Sequence, residues 1–404
     1  MAMFANQIAW LEKLVSGNVL RLTTRTADSL VATSDTTLTI TDAIPSDIDR
    51  AFDWTAAHGA PNLLIWSVRE NPRADLLFHA RGCRESFRPL WMYRPLHEPL
   101  PEPDDIQGIT IALARLDDLA AMQAAREVPY MAAPWLTQLP ELSTGHDRSR
   151  GVWRLLAWNE PRQPRRIVGS GILHLAPSVS GVTAAIFNLG VDPAWQHRGI
   201  GTALTLGLCR IAREQGVPGV ALNATPRGEP VYRAQGFVAT GEGQTWHMPS
   251  ASLRNRPDAA IIAAAEALGR GETARLDPSV ARLEALPNGD TPIRFAVRFR
   301  QPASVRWLLD HHAAPDIVSL WTLGFQVEAL AAMKDPRWLN VQRGPESTTP
   351  LHDAIRLNDR ELVEMLLAAG ADLTIRDSQW NGRPLDWARA LDRPRLAALI
   401  ERAM

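Results

Sequence analysis

Two glycines and a glutamine near the middle of the chain have a spacing that suits phosphate chemistry. Gln196, Gly199 and Gly201 form the pattern Q-x-x-G-x-G in what we call the glycine turn (196–201). An apolar run (184–191) precedes this turn, and a helix-like run (202–215) follows it. Glycine lets a backbone approach a ligand closely, and a helix N-terminus offers unpaired N–H groups and the positive end of the helix dipole. The segment is therefore a candidate pyrophosphate cradle, and it predicts a nucleotide-derived cofactor.

The glycine turn differs from two common nucleotide sites. It lacks the G-x-x-x-x-G-K-[ST] pattern of a P-loop, and with it the lysine that contacts the terminal phosphates. It also lacks the third glycine of a dinucleotide fingerprint and the acidic residue about 20 residues later. The alternative interpretation is a strand-to-helix turn whose glycines serve only packing.

The elements that must position this turn can be read on both sides of it. Residues 219–223 have the pattern of a buried strand, and residues 227–235 that of a short helix carrying Tyr232. Gly236 and Phe237 then open a further strand, which ends near residue 248.

This order of elements resembles the GNAT superfamily of acyl-CoA-dependent N-acyltransferases over residues 109–248. The resemblance implies an α/β (α+β) GNAT acyltransferase fold with a mixed, splayed sheet. It also implies acetyl-CoA as co-substrate, because the R/Q-x-x-G-x-G/A loop of the family binds the pantetheine pyrophosphate. The resemblance implies no metal. The residues expected to bind the cofactor are Leu189, Val191, Gln196, His197, Arg198, Gly199, Ile200, Gly201, Thr202 and Asn223.

The resemblance also implies catalytic roles. The family tyrosine four residues before Gly-Phe, here Tyr232, often lies by the cofactor sulfur, and a phenol with a pKa near 10 can protonate a leaving thiolate. The backbone of Leu189 or Val191 would donate to the acyl carbonyl. Many members place a glutamate on the strand before the glycine turn, but residues 184–188 contain no carboxylate. Base catalysis is then expected to pass through water held by Asn188, or to come from elsewhere.

The acceptor amine is expected to bind in a segment we call the acceptor segment (127–147). It contains Glu127, Tyr130 and Trp135, a mixture of acidic and aromatic groups that suits an apolar, cationic amine. Further candidates for the general base are Glu127, Glu141, His146, Asp147 and His174. For His174 the alternative is a structural histidine in the core.

Composition excludes several classes of protein. The net charge of -1 provides no field to attract nucleic acid or an anionic membrane. No apolar run reaches membrane-spanning length, and the first 20 residues do not resemble a signal peptide. Cys83 and Cys209 lack metal-ligand spacing and are expected to be free thiols in the cytoplasm.

The 404 residues are predicted to form several domains. A proline-rich, acidic linker occupies residues 98–105 and separates an N-terminal lobe (1–97) from the GNAT domain (106–250). The N-terminal lobe is expected to open with a helix over 7–15 and to contain another over 46–58. Its sequence Phe78-His-Ala-Arg-Gly82, followed by Phe87, resembles a faded tyrosine-Gly-Phe element, which predicts a degenerate GNAT-like lobe without a cofactor site.

Residues 256–404 contain a repeat. The pattern T-P-L-H-x-A at Thr349 recurs at Arg383, 34 residues later, and upstream at Thr291. This period and pattern are those of ankyrin repeats. About five units are expected to form an all-α solenoid, the two weaker ones over 260–287 and 315–340.

Three functions are compatible with this organisation. The first is acetyl-CoA-dependent N-acetylation of a primary amine on a small molecule, such as an antibiotic or toxin. The second is protein acetylation, with the ankyrin repeats recruiting the client protein, since such surfaces usually bind protein. The third is a non-enzymatic CoA-binding scaffold.

Overall fold

The computed structural model describes most of the chain beyond residue 61. The described residues are 19–23, 28–32, 36–40, 48–49, 52–53, 56–57, 62–67, 70–102, 105–131, 151–159, 165–178, 181–249, 252, 255–344 and 346–404. The predicted helix over 7–15 and the candidates Trp135, Glu141, His146 and Asp147 lie outside them, as does much of the predicted helix over 46–58.

The described strands pair into two sheets. They are β1 (Val19–Thr23), β2 (Asp28–Ala32), β3 (Thr36–Ile40), β4 (Asn62–Ser67), β5 (Arg84–Glu85), β6 (Leu90–Pro95), β7 (Ile109–Leu113), β8 (Val152–Asn159), β9 (Ile167–Ser178), β10 (Gly181–Val191), β11 (Gly219–Ala224), β12 (Val238–Glu242) and β13 (Gln244–Pro249). One sheet has the order β1-β2-β3-β4-β13-β5, and the other has the order β12-β6-β11-β10-β9-β8-β7. In the second sheet β10 and β11 are parallel, whereas β10 is antiparallel to β9. The predicted mixed sheet of a GNAT fold is therefore confirmed.

The two sheets exchange strands. Strand β6, from the first 97 residues, lies between β11 and β12 and is antiparallel to both. Strand β13 follows β12 in the chain, yet it pairs with β4 in the other sheet. Each sheet is thus completed by a strand from the other part of the sequence. The boundaries at residues 97, 106 and 250 stay a prediction.

The helices divide between two parts of the molecule. They are α1 (Pro72–Ala80), α2 (Leu119–Ala124), α3 (Ile200–Glu214), α4 (Glu229–Ala234), α5 (Ala259–Arg270), α6 (Pro292–Arg298), α7 (Pro302–Asp310), α8 (Ile317–Thr322), α9 (Gln326–Met333), α10 (Pro336–Leu339), α11 (Pro350–Leu357), α12 (Arg360–Ala368), α13 (Pro384–Ala390) and α14 (Pro394–Ala403). By their contacts, residues 1–71 and 85–254 form one compact unit, and residues 72–84 and 255–404 form another. Helix α1 therefore belongs with the helical unit, although it lies between two strands of the first unit in sequence.

Helix α3 packs closely on the second sheet because glycines remove side chains from its contact surface. A Cβ at Gly169 of β9 would lie 3.1 Å from side-chain atoms of Ile200 and Leu204. A Cβ at Gly207 of α3 would lie 2.7 Å from Leu155 Cδ1. The buried face of α3 joins the core between helix and sheet. This packing fixes the N-terminus of α3, and with it the glycine turn.

The helical unit is built from short helices, several of which begin with proline. Helices α6, α11 and α13 begin at the three T-P-L-H-like motifs. Thr349 and His352 form a capping box at the start of α11, which satisfies donors at the helix N-terminus. The paired helices α8 and α9 occupy the weaker unit predicted over 315–340. The all-α solenoid is therefore confirmed as the fold class of this part.

Candidate active site

Strands β10 and β11 separate at the end of the sheet that carries the glycine turn. Their parallel pairing is confined to Ala184 with Val220 and Ala185 with Ala221. On its other side, β10 stays paired with β9 up to Val191. The strands therefore part after Ala185, and the splay predicted from the family resemblance is confirmed.

A bulge interrupts β10 within the splay. The register with β9 shifts between Phe187 and Gly190, so Asn188 and Leu189 have no opposite residue in the ladder. Asn188 has a φ of 49°, in the left-handed region that asparagine tolerates better than most residues. A bulge redirects backbone N–H groups away from the neighbouring strand. The predicted role of Leu189 as a donor to an acyl carbonyl stays a prediction.

The chain reaches α3 through two turns. A short 3-10 turn (Pro193–Trp195) begins with Asp192 as its N-cap. His197 and Gly199 then take positive φ values of 62° and 82°. Gly199 is the N-cap of α3, and no side chain caps this helix end. The backbone N–H groups of its first turn, from Ile200 to Thr202, are thus left for a ligand or solvent.

Gly201 bears on the packing interpretation of the glycine turn. It lies inside α3, where φ is negative, and a Cβ there would meet Val191 Cγ2 at 3.9 Å, an ordinary van der Waals distance. Neither backbone conformation nor packing requires glycine at this position. A glycine within a helix costs about 0.5–1 kcal/mol relative to alanine, so packing alone does not explain Gly201.

Two predicted cofactor residues make contacts within the turn itself. Gln196 Nε2 donates to the carbonyl oxygen of Val191 at 3.2 Å, which fixes the turn to the end of β10. The guanidinium of Arg198 lies 4.8 Å from the centre of the Trp195 ring, a cation–π contact. Asn223 lies on β11 opposite Trp91 of β6, beyond the point where β10 and β11 part.

Tyr232 is buried on α4, with 9% of its surface exposed. Its ring packs edge-on against Phe237 at 5.8 Å. Burial, and to a lesser extent the Tyr130 phenol, raise the pKa of Tyr232 to about 12. The side chain therefore stays protonated at neutral pH, which suits a hydrogen-bond donor and excludes a general base.

The described part of the acceptor segment is anchored beside the bulge. A Cβ at Gly190 would lie 2.8 Å from Pro129 Cβ, so this turn rests directly on β10. Tyr130 has a φ of 68°, which is unusual for an aromatic residue, and 52% of its surface is exposed. Glu127 is also exposed. Tyr130, Asn188 and His197 all have positive φ, but so do residues of the helical unit such as Arg300 and Asn358, so this conformation does not by itself mark a functional site.

The candidate base His174 lies in the core. It is fully buried on β9, opposite Ala185, with its ring 6.4 Å from that of Phe187. On the same face, Arg154 donates from Nη1 to Ser170 Oγ at 3.0 Å and contacts Met131 Sδ at 3.3 Å. Burial lowers the pKa of Arg154 to about 9. Arg154 has a signal in the sequence, because it is the lone arginine in the apolar run of β8.

Membrane-spanning helices and metal-binding clusters are both absent from the described residues. In the part of the chain that the structure describes, no helix combines the length and apolarity needed to cross a membrane. Within the same residues, no group of three histidine, cysteine or acidic side chains is placed to hold a metal ion.

Comparison with protein families gives two matches. Residues 120–237 match the model of the acetyltransferase (GNAT) family. Residues 347–378 match the model of the ankyrin repeat. The first match contains the bulge, the glycine turn, helix α3 and Tyr232, and the second contains Thr349 and helices α11 and α12.

Curated relatives match part of the chain. A mycothiol acetyltransferase from Nocardioides sp. is 27% identical over 199 residues, which are 44% of this chain and 65% of that protein. A glucosamine 6-phosphate N-acetyltransferase from Trypanosoma brucei brucei is 35% identical over 77 residues, 18% of this chain and 52% of that protein. The chain thus spans less than two thirds of the length of these relatives. Among solved structures, a GCN5-related N-acetyltransferase from Kribbella flavida is 16% identical, with a TM-score of 0.45, over 63% of this chain and 98% of that chain.

Proposed function

Because the chain contains a GNAT-family domain and an ankyrin repeat, we propose that it transfers an acetyl group from acetyl-CoA to the primary amine of a small molecule. The observation that carries this proposal is the splay of β10 and β11 beside the uncapped N-terminus of α3. A thioester can enter between the strands while its pyrophosphate meets the glycine turn. We further propose that the protein acts in the cytoplasm, where the buried free thiols of Cys83 and Cys209 stay reduced.

The residues of the site fit acetyl-CoA. The first-turn N–H groups of α3 supply donors for a pyrophosphate, and Gly201 leaves room for its oxygens. Acetyl-CoA supplies the activated acetyl group. The bulge at Asn188 presents the backbone N–H of Leu189 to an acyl carbonyl, where it stabilises negative charge on oxygen. Tyr232 donates a hydrogen bond to the departing sulfur.

The acceptor enters beside Tyr130 in this proposal. An aromatic face exposed to solvent attracts an ammonium group, and Glu127 adds negative charge nearby in sequence. Asn188 would hold the water that receives the amine proton, since β10 carries no carboxylate. The names of the two relatives, a mycothiol and a glucosamine 6-phosphate acetyltransferase, support a small polar acceptor. Detoxification of an antibiotic or toxin is one form that such acetylation takes.

Protein acetylation is a second candidate, favoured by one feature of the ankyrin part. Trp380 is 57% exposed on a loop, and its ring lies 4.9 Å from that of buried Trp387. Rigidly held tryptophans are common hot spots of protein interfaces. Under this alternative, Trp380→Ala lowers acetylation of a client protein and leaves acetylation of small amines unchanged.

Calorimetric titration of the full chain with acetyl-CoA tests the proposed function. The wild type is expected to bind, and Gly201→Val is expected to bind at least about tenfold more weakly, because its branched side chain at the start of α3 would stand in the way of the phosphate oxygens. Gly201→Ala, which the family pattern G/A admits, is the matched control. It is expected to bind within about twofold of the wild type and, because alanine is the better helix former, to unfold at the same temperature or slightly above it. Absence of binding by the wild type at millimolar acetyl-CoA contradicts the proposal, and equal binding by the wild type and Gly201→Val refutes the role of Gly201.

A further inference from the structure

A carboxylate stands at the start of the connection between β10 and the glycine turn. Asp192 is 4% exposed and directly follows the last residue of β10. The proposed function would place a polyanionic ligand a few residues away, at the N-terminus of α3. An acidic side chain so close to an anion site repels the anion unless a counter-ion compensates its charge. A benefit must then come from the hydrogen bonds that the residue makes.

The hydrogen bonds of Asp192 hold the connection between β10 and the glycine turn in place. Its Oδ1 accepts from the backbone N–H of Ala194 at 2.9 Å. Its own N–H donates to the carbonyl oxygen of Val168 at 2.9 Å, and its carbonyl oxygen accepts from the N–H of Trp195 at 2.8 Å. The backbone bond to Val168 ties the start of the 3-10 turn to strand β9, and the other two bonds shape the turn itself. The direction in which the chain leaves β10, and hence the position of Gly199, depends on these three bonds.

Arg166 compensates the negative charge of Asp192. Its Nη2 lies 3.3 Å from Asp192 Oδ2, and the arginine side chain is 50% exposed while that of the aspartate is 5% exposed. A buried carboxylate without a counter-ion is costly. Arg166 therefore neutralises Asp192 on the solvent side of the turn.

We propose that Asp192 is a positioning residue for the donor substrate, which sets the glycine turn for the pyrophosphate while Arg166 masks its charge. This inference rests on the proposed function, because it concerns the same site. Asp192 does not contact the reacting atoms. Its effect is expected in the binding of the pyrophosphate and not in the transfer step.

Two acetyl donors distinguish positioning from general damage to the fold. Acetyl-CoA contains the pyrophosphate, whereas S-acetylpantetheine keeps the thioester and the pantetheine arm without it. Asp192→Ala loses the cap of Ala194 and is expected to raise the KM for acetyl-CoA about fivefold, the effect of one lost N-cap. Its kcat with acetyl-CoA, and its kcat/KM with S-acetylpantetheine, are expected to stay within about twofold of the wild type. Asp192→Asn keeps an oxygen for Ala194 and is expected to restore the KM for acetyl-CoA to within about twofold.

A double variant tests the role of Arg166. Arg166→Ala leaves the carboxylate uncompensated and is expected to raise the KM for acetyl-CoA about fivefold, less at high salt. In Arg166→Ala combined with Asp192→Asn, this increase is expected to disappear. If the increase persists in the double variant, Arg166 acts on the ligand directly and the masking role is wrong.

The outcomes separate this inference from the proposed function. A wild type that binds no acetyl-CoA contradicts the proposed function. A wild type that binds it, together with an Asp192→Ala variant that is unchanged or equally impaired with both donors, overturns the inference alone. Thermal unfolding of each variant shows whether it is folded, and Asp192→Asn provides a test even if Asp192→Ala does not fold.

Discussion

At the residue scale, the environment of Tyr232 changes the chemistry that its sequence position predicts. A phenol with an unperturbed pKa near 10 can exchange its proton with a thiolate, whose reference pKa is about 8.5. Burial, with a contribution from Tyr130, raises the pKa of Tyr232 to about 12. Complete proton transfer from this phenol to a thiolate is then unfavourable. We therefore expect Tyr232 to stabilise the leaving sulfur mainly through a hydrogen bond.

The substitution Tyr232→Phe tests this role. It is expected to lower kcat about 10- to 100-fold while the KM for acetyl-CoA changes less than about twofold, as steady-state kinetics would show. Because the raised pKa keeps the phenol protonated, Tyr232 should cause no loss of kcat between pH 8 and 10. Tyr93→Phe, on β6, is the matched control and should retain full activity. An unchanged kcat in Tyr232→Phe removes the residue from the reaction.

The other predicted site residues show what sequence patterns can and cannot specify. The glycine pattern predicted the turn, because positive φ at Gly199 and open space at Gly201 both follow from the absence of a Cβ. Gln196 belongs to the same pattern, but its side-chain amide donates a hydrogen bond to the carbonyl oxygen of Val191. This partner could not be predicted, because it depends on the tertiary path of the chain. Asp192 was not singled out as a functional residue, although an aspartate directly before proline is a recognisable cap signal. The roles of these residues in binding and catalysis stay predictions.

At the element scale, local patterns predicted where strands lie better than which strands pair with each other. The apolar run of residues 89–96 has the pattern of a strand, and β6 is observed as Leu90–Pro95. Its apolar pattern fits either sheet, however, so its place between β11 and β12 could not be predicted. The same holds for β13, whose pairing with β4 depends on contacts far apart in sequence. Periodicity indicates which face of a strand is buried but not which neighbour it pairs with.

The loop between α12 and α13 (369–383) contains Asp377, whose pKa leads to a prediction about pH and stability. Burial alone would raise the pKa of Asp377, but donors from Trp380, Trp387, Gly382 and Gln379 outweigh it and lower that pKa to about 2. A lowered folded-state pKa stabilises the protein above the unfolded pKa near 3.9, and this contribution is lost as the pH falls from about 4 towards 2.

We expect Asp377→Asn to be destabilised by roughly 2 kcal/mol at pH 7. The amide nitrogen of asparagine is itself a hydrogen-bond donor and would face N–H groups that now donate to the carboxylate. The difference from the wild type should shrink as the pH falls through this range, measured by urea unfolding at pH 7, 4 and 3. Asp372→Asn, at an exposed carboxylate whose pKa is also lowered by Thr374, is the matched control, and its effect should be much smaller. A difference that is independent of pH contradicts this account.

At the scale of the whole molecule, the helical unit includes a helix from the N-terminal part of the chain. Leu76 and Ala80 of α1 belong to the same buried cluster as Leu268 of α5 and Ile293 of α6. Arg81 also pairs with Glu266 of α5 at 2.8 Å. Ankyrin arrays need terminal units that cover their apolar ends. We therefore expect α1 to serve as the N-terminal cap of the stack, in place of a repeat of ordinary sequence.

This arrangement predicts that the ankyrin repeats are incomplete when cut at residue 255. A fragment of residues 255–404 lacks Leu76, and burial of one leucine side chain contributes about 2 kcal/mol. Fusing residues 72–84 to its N-terminus through a flexible glycine-serine linker is expected to raise its free energy of unfolding by at least that amount, measured by urea denaturation. The same fusion carrying Leu76→Asp should give no gain, because a charge at this buried position opposes docking. Equal stability of all three fragments would show that α1 is dispensable, and deletion of residues 255–404 would then be a clean way to separate the ankyrin part from acetyl transfer.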